Sequence, residues 1–266
     1  MINATDLFEL QNFEHRTLFS EVEPVWTGLR DLKSYMDSFS GYHEELASHC
    51  DGTPLPHSLV LYDGQIIDGR DCSISFGDTM KGKLLVHHNS KQLHNASVLM
   101  PGAILQGSQL AIGNGTLIEG GATIKSPAII GNCTEIRQGA YMRGYCLIGD
   151  RCVVGHATEV KHSIFLDDAK AGHFAYLGDS ILGNDANLGA GTKFANLKFT
   201  PGNVKIIIDN KLCDTGRRKF GAILGDRSQT GCNSVTNPGT IFGKKTILMP
   251  NTTSPPGFHS DKKRIK

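Results

Sequence analysis

The chain has 266 residues, of which 39% are hydrophobic and 7% aromatic, and 31 of them are glycine. This balance favours turn-rich β structure over a helical bundle, and the length allows one large domain or a domain with a smaller partner. A formal net charge of +1 gives no general reason to expect nucleic acid or an acidic partner.

Cysteine and histidine usage indicates a reduced protein without a metal. The seven cysteines are odd in number and form no CxxC pair, so neither a disulfide framework nor a zinc site is expected. His87, His88 and His94 form a loose cluster without carboxylates or cysteines at ligand spacing, and no metal or redox cofactor is predicted. The first residues do not resemble a signal peptide and no later run could span a membrane, so we expect a cytoplasmic protein without membrane insertion.

The first part of the chain predicts a small mixed region. The segment "EPVWTGLRDLKSYMDSF" (23–39) places four apolar side chains on one helical face, namely Trp26, Leu29, Leu32 and Met36. Short β-like runs such as "SLVLYDGQII" and "KLLVHH" follow within 58–98. We expect this helical and β region to pack on the first coil of the repeat that comes next.

A six-residue repeat dominates the rest of the chain. An aliphatic residue returns every six positions at Ile112, Ile118, Ile124, Ile130, Ile136, Met142, Ile148, Val154, Val160 and Leu166. A small residue follows four places after most of them. Period six fits neither a helix nor a long strand, but it fits a solenoid coil with three flat faces of six residues each. Each coil then takes 18 residues, and successive coils stack at about 4.8 Å.

The rhythm slips after Leu166 and resumes at Leu182, sixteen residues on where eighteen would be in phase. A charged loop excursion follows, and the six-residue repeat then continues from Leu224 to Leu248. The last residues of the chain lose the pattern. The predicted organisation is a helical and β region at 1–97, a β-helix at 98–254 with a loop excursion at 193–222, and a C-terminal tail at 255–266.

The hexads resemble those of hexapeptide-repeat acyltransferases. The segment "MRGYCLIGDRCVVGHATEVKHSIFLDDAKAGHFAYLGDSILGNDANLGAGTKFANLKF" (142–199) is similar to the acetyltransferase domain of the bifunctional N-acetylglucosamine-1-phosphate uridylyltransferase/glucosamine-1-phosphate acetyltransferase. The stretch "DTGRRKFGAILGD" (214–226) is closer to related sugar-1-phosphate nucleotidylyltransferases. The resemblance implies a left-handed parallel β-helix, a homotrimer and acetyl-CoA as co-substrate. The first ninety residues hold no Gly-rich nucleotide loop, so nucleotidyl transfer is not expected.

His173 is the predicted catalytic base. Acyl transfer to an amine needs a group that takes the amine's proton, and histidine suits this because its ordinary pKa lies near 7. The resemblance gives this role to the histidine of "AGH", which here is Ala171, Gly172 and His173. We expect the break in the repeat to turn His173 toward a cleft. A surface histidine on a turn is the alternative.

Other polar residues are predicted to hold the ligand. Arg143 and Lys161 lie 18 residues apart and should stack as two cations on one face, which suits a phosphate, although a solvated face is the alternative. The resemblance assigns Tyr176, Asn187 and Asn196 to the amino sugar, although for Asn187 a structural residue at a corner or in a ladder is the alternative. Asn196 is also predicted to meet the thioester carbonyl and to stabilise the oxyanion.

The chain departs from the resembling enzymes at several positions near the acyl donor. Leu197 stands where they have tyrosine. Lys205 stands at one position where relatives use lysine, but Gly202 stands at another. Cys232 falls where a serine approaches the coenzyme, so it is a candidate contact to acetyl-CoA or, alternatively, a small packed residue. Arg217 or Arg218 could contact the coenzyme's phosphates, or be a solvated loop charge.

The sequence therefore predicts an acetyl-CoA-dependent N-acetyltransferase acting on an amino-sugar phosphate such as glucosamine-1-phosphate, or on a nucleotide sugar. Two other hypotheses remain open. One is a module that binds a sugar nucleotide without turning it over, and the other is a structural trimer that presents its N-terminal region to partners.

Overall fold

The residues of the six-residue repeat form the core of a parallel β-solenoid, as predicted. In a computed structural model, which describes residues 1–208 and 211–266, Ile118, Ile124 and Ile136 are fully buried along one continuous cluster. Small buried residues such as Thr134 turn the corners between faces. The left hand of the coil is the one that the resemblance implies.

Three long sheets form the faces of the solenoid. Face 1 consists of Asp51–Pro54, Ile104–Gln106, Thr123–Lys125, Tyr141–Arg143, Glu159–Lys161, Tyr176–Gly178, Lys193–Phe194, Val235–Thr236 and Thr253–Ser254. Face 2 consists of Gln65–Asp68, Leu59–Tyr62, Ser97–Leu99, Leu117–Ile118, Glu135–Ile136, Val153–His156, Lys170–His173, Asn187–Leu188, Gln229–Thr230, Ile247–Leu248 and Arg264–Ile265. Face 3 consists of Leu110–Ile112, Ala128–Ile130, Cys146–Ile148, Ser163–Phe165, Ile181–Leu182, Ala222–Leu224, Thr240–Phe242 and Gly257–His259.

The remaining elements lie outside these faces. A hairpin pairs Lys205–Ile208 with Lys211–Asp214, and a small sheet holds Cys72–Ser75, Leu85–His88 and Lys91–Gln92. The α-helices are α1 (Ala4–Leu7) and α2 (Thr27–Asp37), and short 3-10 helices span Arg16–Leu18, Glu44–His49, Gly69–Asp71 and Thr79–Lys81. In the part of the chain described, no helix is long and apolar enough to cross a membrane.

The solenoid extends further in both directions than the sequence predicted. Its first parallel strand begins at Ser97, and antiparallel pairing of Asp51–Pro54 and Leu59–Tyr62 with the first coil covers that end. The tail predicted at 255–266 is wrong, because Gly257–His259 and Arg264–Ile265 add parallel strands to faces 3 and 2. The loss of the hexad therefore marks irregular corners rather than the end of the stack.

Two coils are one residue short, and this explains the slip in the repeat. Ile148 pairs with Phe165, and Phe165 pairs with Leu182, so each of these coils has 17 residues. Phe165 rather than Leu166 therefore joins the solenoid core, which corrects the predicted train. The shortened corners lie at His162 and Asp179, both buried, and not at His173 as predicted.

A second core covers the outer surface of face 3. The side chains that point outward from face 3 are apolar and buried. They are Ala111, Ile129, Leu147, Ile164, Ile181, Ile223 and Ile241. The same cluster includes α2, which buries Leu29, Leu32 and Met36 as predicted, and the hairpin residues Ile206 and Ile208. Each Å² of apolar surface that this packing removes from water stabilises the fold by roughly 25 cal/mol.

The first 43 residues run along face 3 rather than packing on the first coil alone. The carbonyl of Leu7 accepts from the backbone N–H of Asp226 in a late coil, and the Leu29 carbonyl contacts His162 in the middle. The N–H of His43 then donates to the Leu110 carbonyl in the first coil. The prediction that the N-terminal region packs on the first coil is therefore only partly right, because this segment contacts late and middle coils as well.

Candidate active site

The two predicted cations lie in adjacent coils at the same end of face 1. Strand pairing places Met142 opposite Val160, so Arg143 and Lys161 follow in neighbouring positions. Arg143 Nη1 lies 2.6 Å from Glu159 Oε1, and Lys161 Nζ lies 3.7 Å from Asp179 Oδ2. The spacing of 18 therefore produces the stacked pair that the sequence predicts, although each cation already has a carboxylate partner.

Asp179 connects three side chains at the corner between faces 1 and 3. Its carboxylate accepts from Asn196 Nδ2 at 2.7 Å and from Arg217 Nη2 at 3.2 Å, in addition to the Lys161 contact. The residue is only 4% exposed. Burial lowers the pKa of Arg217, while the Asp179 carboxylate opposes that shift. Charge-assisted hydrogen bonds in such a buried setting are strong and hold their partners in fixed positions.

A cavity of about 340 Å³ opens at this corner, against α2. Among the described residues that line it, six are Lys or Arg and Asp179 is the sole carboxylate. Lys33 and Arg30 come from α2, and Arg217 and Lys219 come from the excursion. The lining therefore carries excess positive charge, which attracts an anion. A larger cavity of about 560 Å³, lined by residues of 4–21 and Lys244, holds none of the predicted site residues.

Tyr176 and Asn196 meet above Gly178. The Tyr176 hydroxyl donates to Asn196 Oδ1 at 3.4 Å, and burial raises the pKa of Tyr176. A Cβ on Gly178 would overlap both the Asn196 amide nitrogen and the Tyr176 hydroxyl, so only glycine leaves room for this contact. Asn196 has two amide protons and gives one to Asp179, which leaves the second for a ligand.

His173 lies away from this cavity, at the corner between faces 2 and 1. Its side chain is exposed, and its neighbours are His156 in the preceding coil and Phe174, which is 56% exposed. His173 and Gly178, the partner of Lys161, are five positions apart, and the chain turns a corner at Phe174 between them, so roughly 16 Å is the upper limit of their Cα separation. His173 is not among the residues that line the cavity, and its action on a ligand held by the cations stays a prediction.

Asn187 and Cys232 also lie outside the cavity. Asn187 is exposed on face 2, where it pairs with Gln229. Cys232 is exposed at the same corner as His173, two coils further on, as the pairing of Ala171 with Leu188 and of Leu188 with Thr230 shows. The predicted residues thus form two groups, with Arg143, Lys161, Tyr176 and Asn196 in the first.

The sequence analysis did not predict the positions of three residues at the cavity. Asp179 and His162 occupy the two shortened corners, and Arg217 was weighed only as a coenzyme contact. His162 Nε2 lies 2.9 Å from the Leu29 carbonyl oxygen, and burial lowers the pKa of His162. The irregular gap between Leu166 and Leu182 was the signal that could have located these corners, but it was assigned to His173.

Four of the cysteines and histidines discussed above, Cys146, Cys152, His87 and His88, lie outside the candidate site. Cys146 and Cys152 are fully buried corner residues, and burial raises the pKa of Cys146 to about 12. His87 and His88 lie on the strand Leu85–His88. No group of three or more potential metal ligands occurs among the residues at 1–208 and 211–266.

Comparison with known proteins agrees with this architecture. Residues 124–253 match the model of the GMPPB C-terminal domain. Over 151 residues the chain is 35% identical to the bifunctional sugar-1-phosphate nucleotidylyltransferase/acetyltransferase of Sulfurisphaera tokodaii, covering 50% of this chain and 38% of that protein. The predicted resemblance to hexapeptide-repeat acyltransferases is confirmed.

Two further relatives carry the name bifunctional protein GlmU. The protein of Methanocaldococcus jannaschii is 38% identical over 39% of this chain and 25% of its own length. That of Synechococcus elongatus is 27% identical over 85% of this chain and 44% of its own length. The chain thus spans less than half the length of these relatives, and the likeness to sugar-phosphate acyltransferases holds at the level of the family.

A looser likeness exists to the acetyltransferase domain of PglB from Neisseria gonorrhoeae. It covers 60% of this chain and 54% of that one, at 10% identity and a TM-score of 0.21. We infer nothing from a superposition this weak.

Proposed function

We propose that the chain is an N-acetyltransferase that moves an acetyl group from acetyl-CoA to the amine of an amino-sugar phosphate, with glucosamine-1-phosphate as the leading acceptor. The observation that supports this most is the cationic cavity at the end of face 1, where Arg143, Lys161 and Arg217 lie together. The relatives named for both sugar-1-phosphates and acetyl transfer agree with it. A homotrimer in the cytoplasm is part of the proposal.

The distance between His173 and the cavity suggests how the acceptor lies. A sugar phosphate placed along face 1 has its phosphate beside Arg143 and Lys161 and its ring against Tyr176, which begins the strand Tyr176–Gly178. The amine of glucosamine-1-phosphate is on the ring carbon next to the one that carries the phosphate. The long side chains of Arg143 and Lys161 therefore reach the phosphate from one side, and the His173 side chain reaches the amine from the other.

The proposed chemistry takes place where the amine meets the thioester carbonyl, so His173 and Asn196 act on the same reacting centre. His173 takes the proton that the amine loses as its nitrogen attacks the thioester carbonyl, and the thiol of coenzyme A leaves. Acetyl-CoA supplies the activated acetyl group. Asn196 directs its remaining amide proton to the developing oxyanion, because its other proton is held by Asp179. Asn187 and Cys232 project from face 2, so we assign their proposed contacts, with sugar and coenzyme respectively, to the groove between neighbouring copies in the trimer.

Acetyl-CoA consumption against a panel of amino-sugar phosphates and nucleotide sugars tests the function. Replacement of the proposed base, His173→Ala, is expected to lower turnover by about 10²–10⁴. The matched control is His156→Ala, which removes the neighbouring imidazole of the same corner. Turnover of His173→Ala within a few-fold of the wild type would show that the assigned mechanism is wrong.

A second function has support from two positions. Leu197 is 47% exposed where the resembling enzymes have tyrosine, and His173 does not line the cavity. Both observations suit a module that binds a sugar nucleotide without turning it over. Saturable binding of a panel ligand with no acetyl transfer would establish this function in place of the first.

A further inference from the structure

Asp179 contacts no reacting atom in the proposed chemistry. It lies at a shortened corner, 96% buried, with Lys161 from the preceding coil on one side and Asn196 from the next coil on the other. Arg217 reaches it from the excursion. A carboxylate taken out of water costs free energy unless partners compensate it, and here three donors do so.

The three donors come from separate elements, and the Asp179 carboxylate contacts all of them. Lys161 belongs to a strand of face 1, Asn196 follows the last strand before the excursion, and Arg217 precedes the return of the chain. The backbone supports the same arrangement, because the carbonyl of Asp179 accepts from Gly221 and its N–H donates to Lys161. The corner therefore fixes where the excursion leaves and rejoins the stack.

We propose that Asp179 is a positioning residue, which holds Lys161 and Arg217 in the geometry that binds a phosphate group in the cavity and fixes the orientation of the neighbouring Asn196 amide. This inference rests on the proposed function for its substrate, but its anion-binding part stands on the cavity alone. The cations Arg143, Lys33 and Lys219 surround the same space. A single internal carboxylate can therefore order its partners while the site stays positive overall.

Electrostatics and positioning predict opposite results for Asp179→Asn. The substitution keeps the shape and one oxygen acceptor but removes a negative charge, so charge alone predicts that a phosphate binds more tightly. Loss of positioning predicts weaker binding, by about tenfold or more, because misplaced groups no longer meet the ligand. The matched control is Asp226→Asn, since Asp226 is also a buried corner carboxylate but contacts Asn184 and the backbone of Glu9 outside the site.

Two measurements on the full chain test the proposal. The first is the rate of reductive methylation of Lys161 and of phenylglyoxal labelling of Arg217, followed by mass spectrometry, which needs no ligand. The second is calorimetric titration with inorganic phosphate. We expect faster labelling and weaker phosphate binding in Asp179→Asn, with Asp226→Asn like the wild type in both.

Unchanged labelling in Asp179→Asn, or phosphate binding as tight as in the wild type or tighter, would overturn the positioning role. The same result follows if Asp226→Asn weakens phosphate binding equally, since a general loss of stability would then account for it. If the wild type binds phosphate and Asp179→Asn does not, but no acetyl transfer occurs with any acceptor, the proposed function fails and the positioning role stands.

Discussion

Face 1 and face 3 have the same repeat and the same inward core, but their outward residues differ. On face 3 these residues are aliphatic, such as Ile164 and Ile181, and they are fully buried beneath the N-terminal segment and the hairpin. On face 1 they are polar, such as Glu159 and Lys161, and they stay partly accessible. The hexad therefore determines the stack, whereas the outward residues determine whether a face becomes a second core or a binding surface.

The largest expected effect comes from opening the covered face. Ile181→Ala leaves a cavity between face 3 and its covering segment, and should lower the free energy of unfolding by about 2–5 kcal/mol. Glu159→Ala on face 1 should lower it by about 1 kcal/mol or less, because it removes only a partly exposed ion pair. Urea denaturation followed by circular dichroism measures both. Equal losses would mean that the two faces do not differ in the way described.

Substitution of the crowded Gly178 on face 1 should lower the stability by an intermediate amount. Gly178→Ala places a methyl group against Tyr176 and Asn196, and overpacking of this kind costs about 1–3 kcal/mol. Gly172→Ala is the stability control, because a Cβ there meets nothing within 4 Å. Thermal unfolding compares the two variants. A Gly178→Ala protein as stable as the control would show that the two side chains move aside freely.

Loss of a cation at the cavity should weaken phosphate binding. Lys161→Met is expected to weaken inorganic phosphate binding about tenfold, or ~1.4 kcal/mol, since it removes a charge beside the ligand. Lys170→Met is the control, because Lys170 lies on face 2 opposite Asn187. Calorimetric titration gives the affinities. A similar loss in both variants would indicate nonspecific attraction to the whole surface.

The corner where the two faces meet should make the fold sensitive to acid. Burial lowers the pKa of His162 from its ordinary 6.5, so the unfolded chain binds a proton there at a higher pH than the folded chain. Stability is therefore expected to fall as the pH drops below about 6.5, with a slope of at most ~1.4 kcal/mol per pH unit for one group. Asp179, Lys161 and Arg217 are the charged groups near it.

His162→Phe tests that contribution. The variant should retain a smaller loss of stability between neutral and mildly acidic pH, because buried His15 and His259, whose pKa values burial also lowers, continue to contribute. Urea denaturation at several pH values measures the slope. An unchanged slope would remove His162 from the acid response.

The regular part of this architecture could be predicted because period six is explicit in the sequence. The spacing of Arg143 and Lys161 predicted their stacking, since both precede the short coils. The apolar outer row of face 3 was missed, although Ile129 directly before Ile130, and Leu147 before Ile148, showed doubled aliphatic residues at coil spacing. Two adjacent apolar residues on a strand point to opposite sides, and one of them must be covered.

The grouping at Asp179 could not be obtained from spacing. It depends on two coils of 17 residues and on a chain that leaves the stack after Asn196 and returns at Phe220. Contacts across such an insertion follow from packing and not from any period. For the same reason the sequence placed His173 at the irregular corner, where the structure has a regular one.

The excursion has its ends tied together, because the N–H of Phe220 donates to the carbonyl of Asn196 at 2.9 Å. A loop closed at its base adds only a slowly growing entropic cost as it lengthens. Insertions and deletions that keep Arg217 and the packed residues Ile206 and Ile208 can thus be accepted without disturbing the coils on either side. This makes the segment a natural place for evolution, or an engineer, to exchange ligand preference by grafting one loop for another.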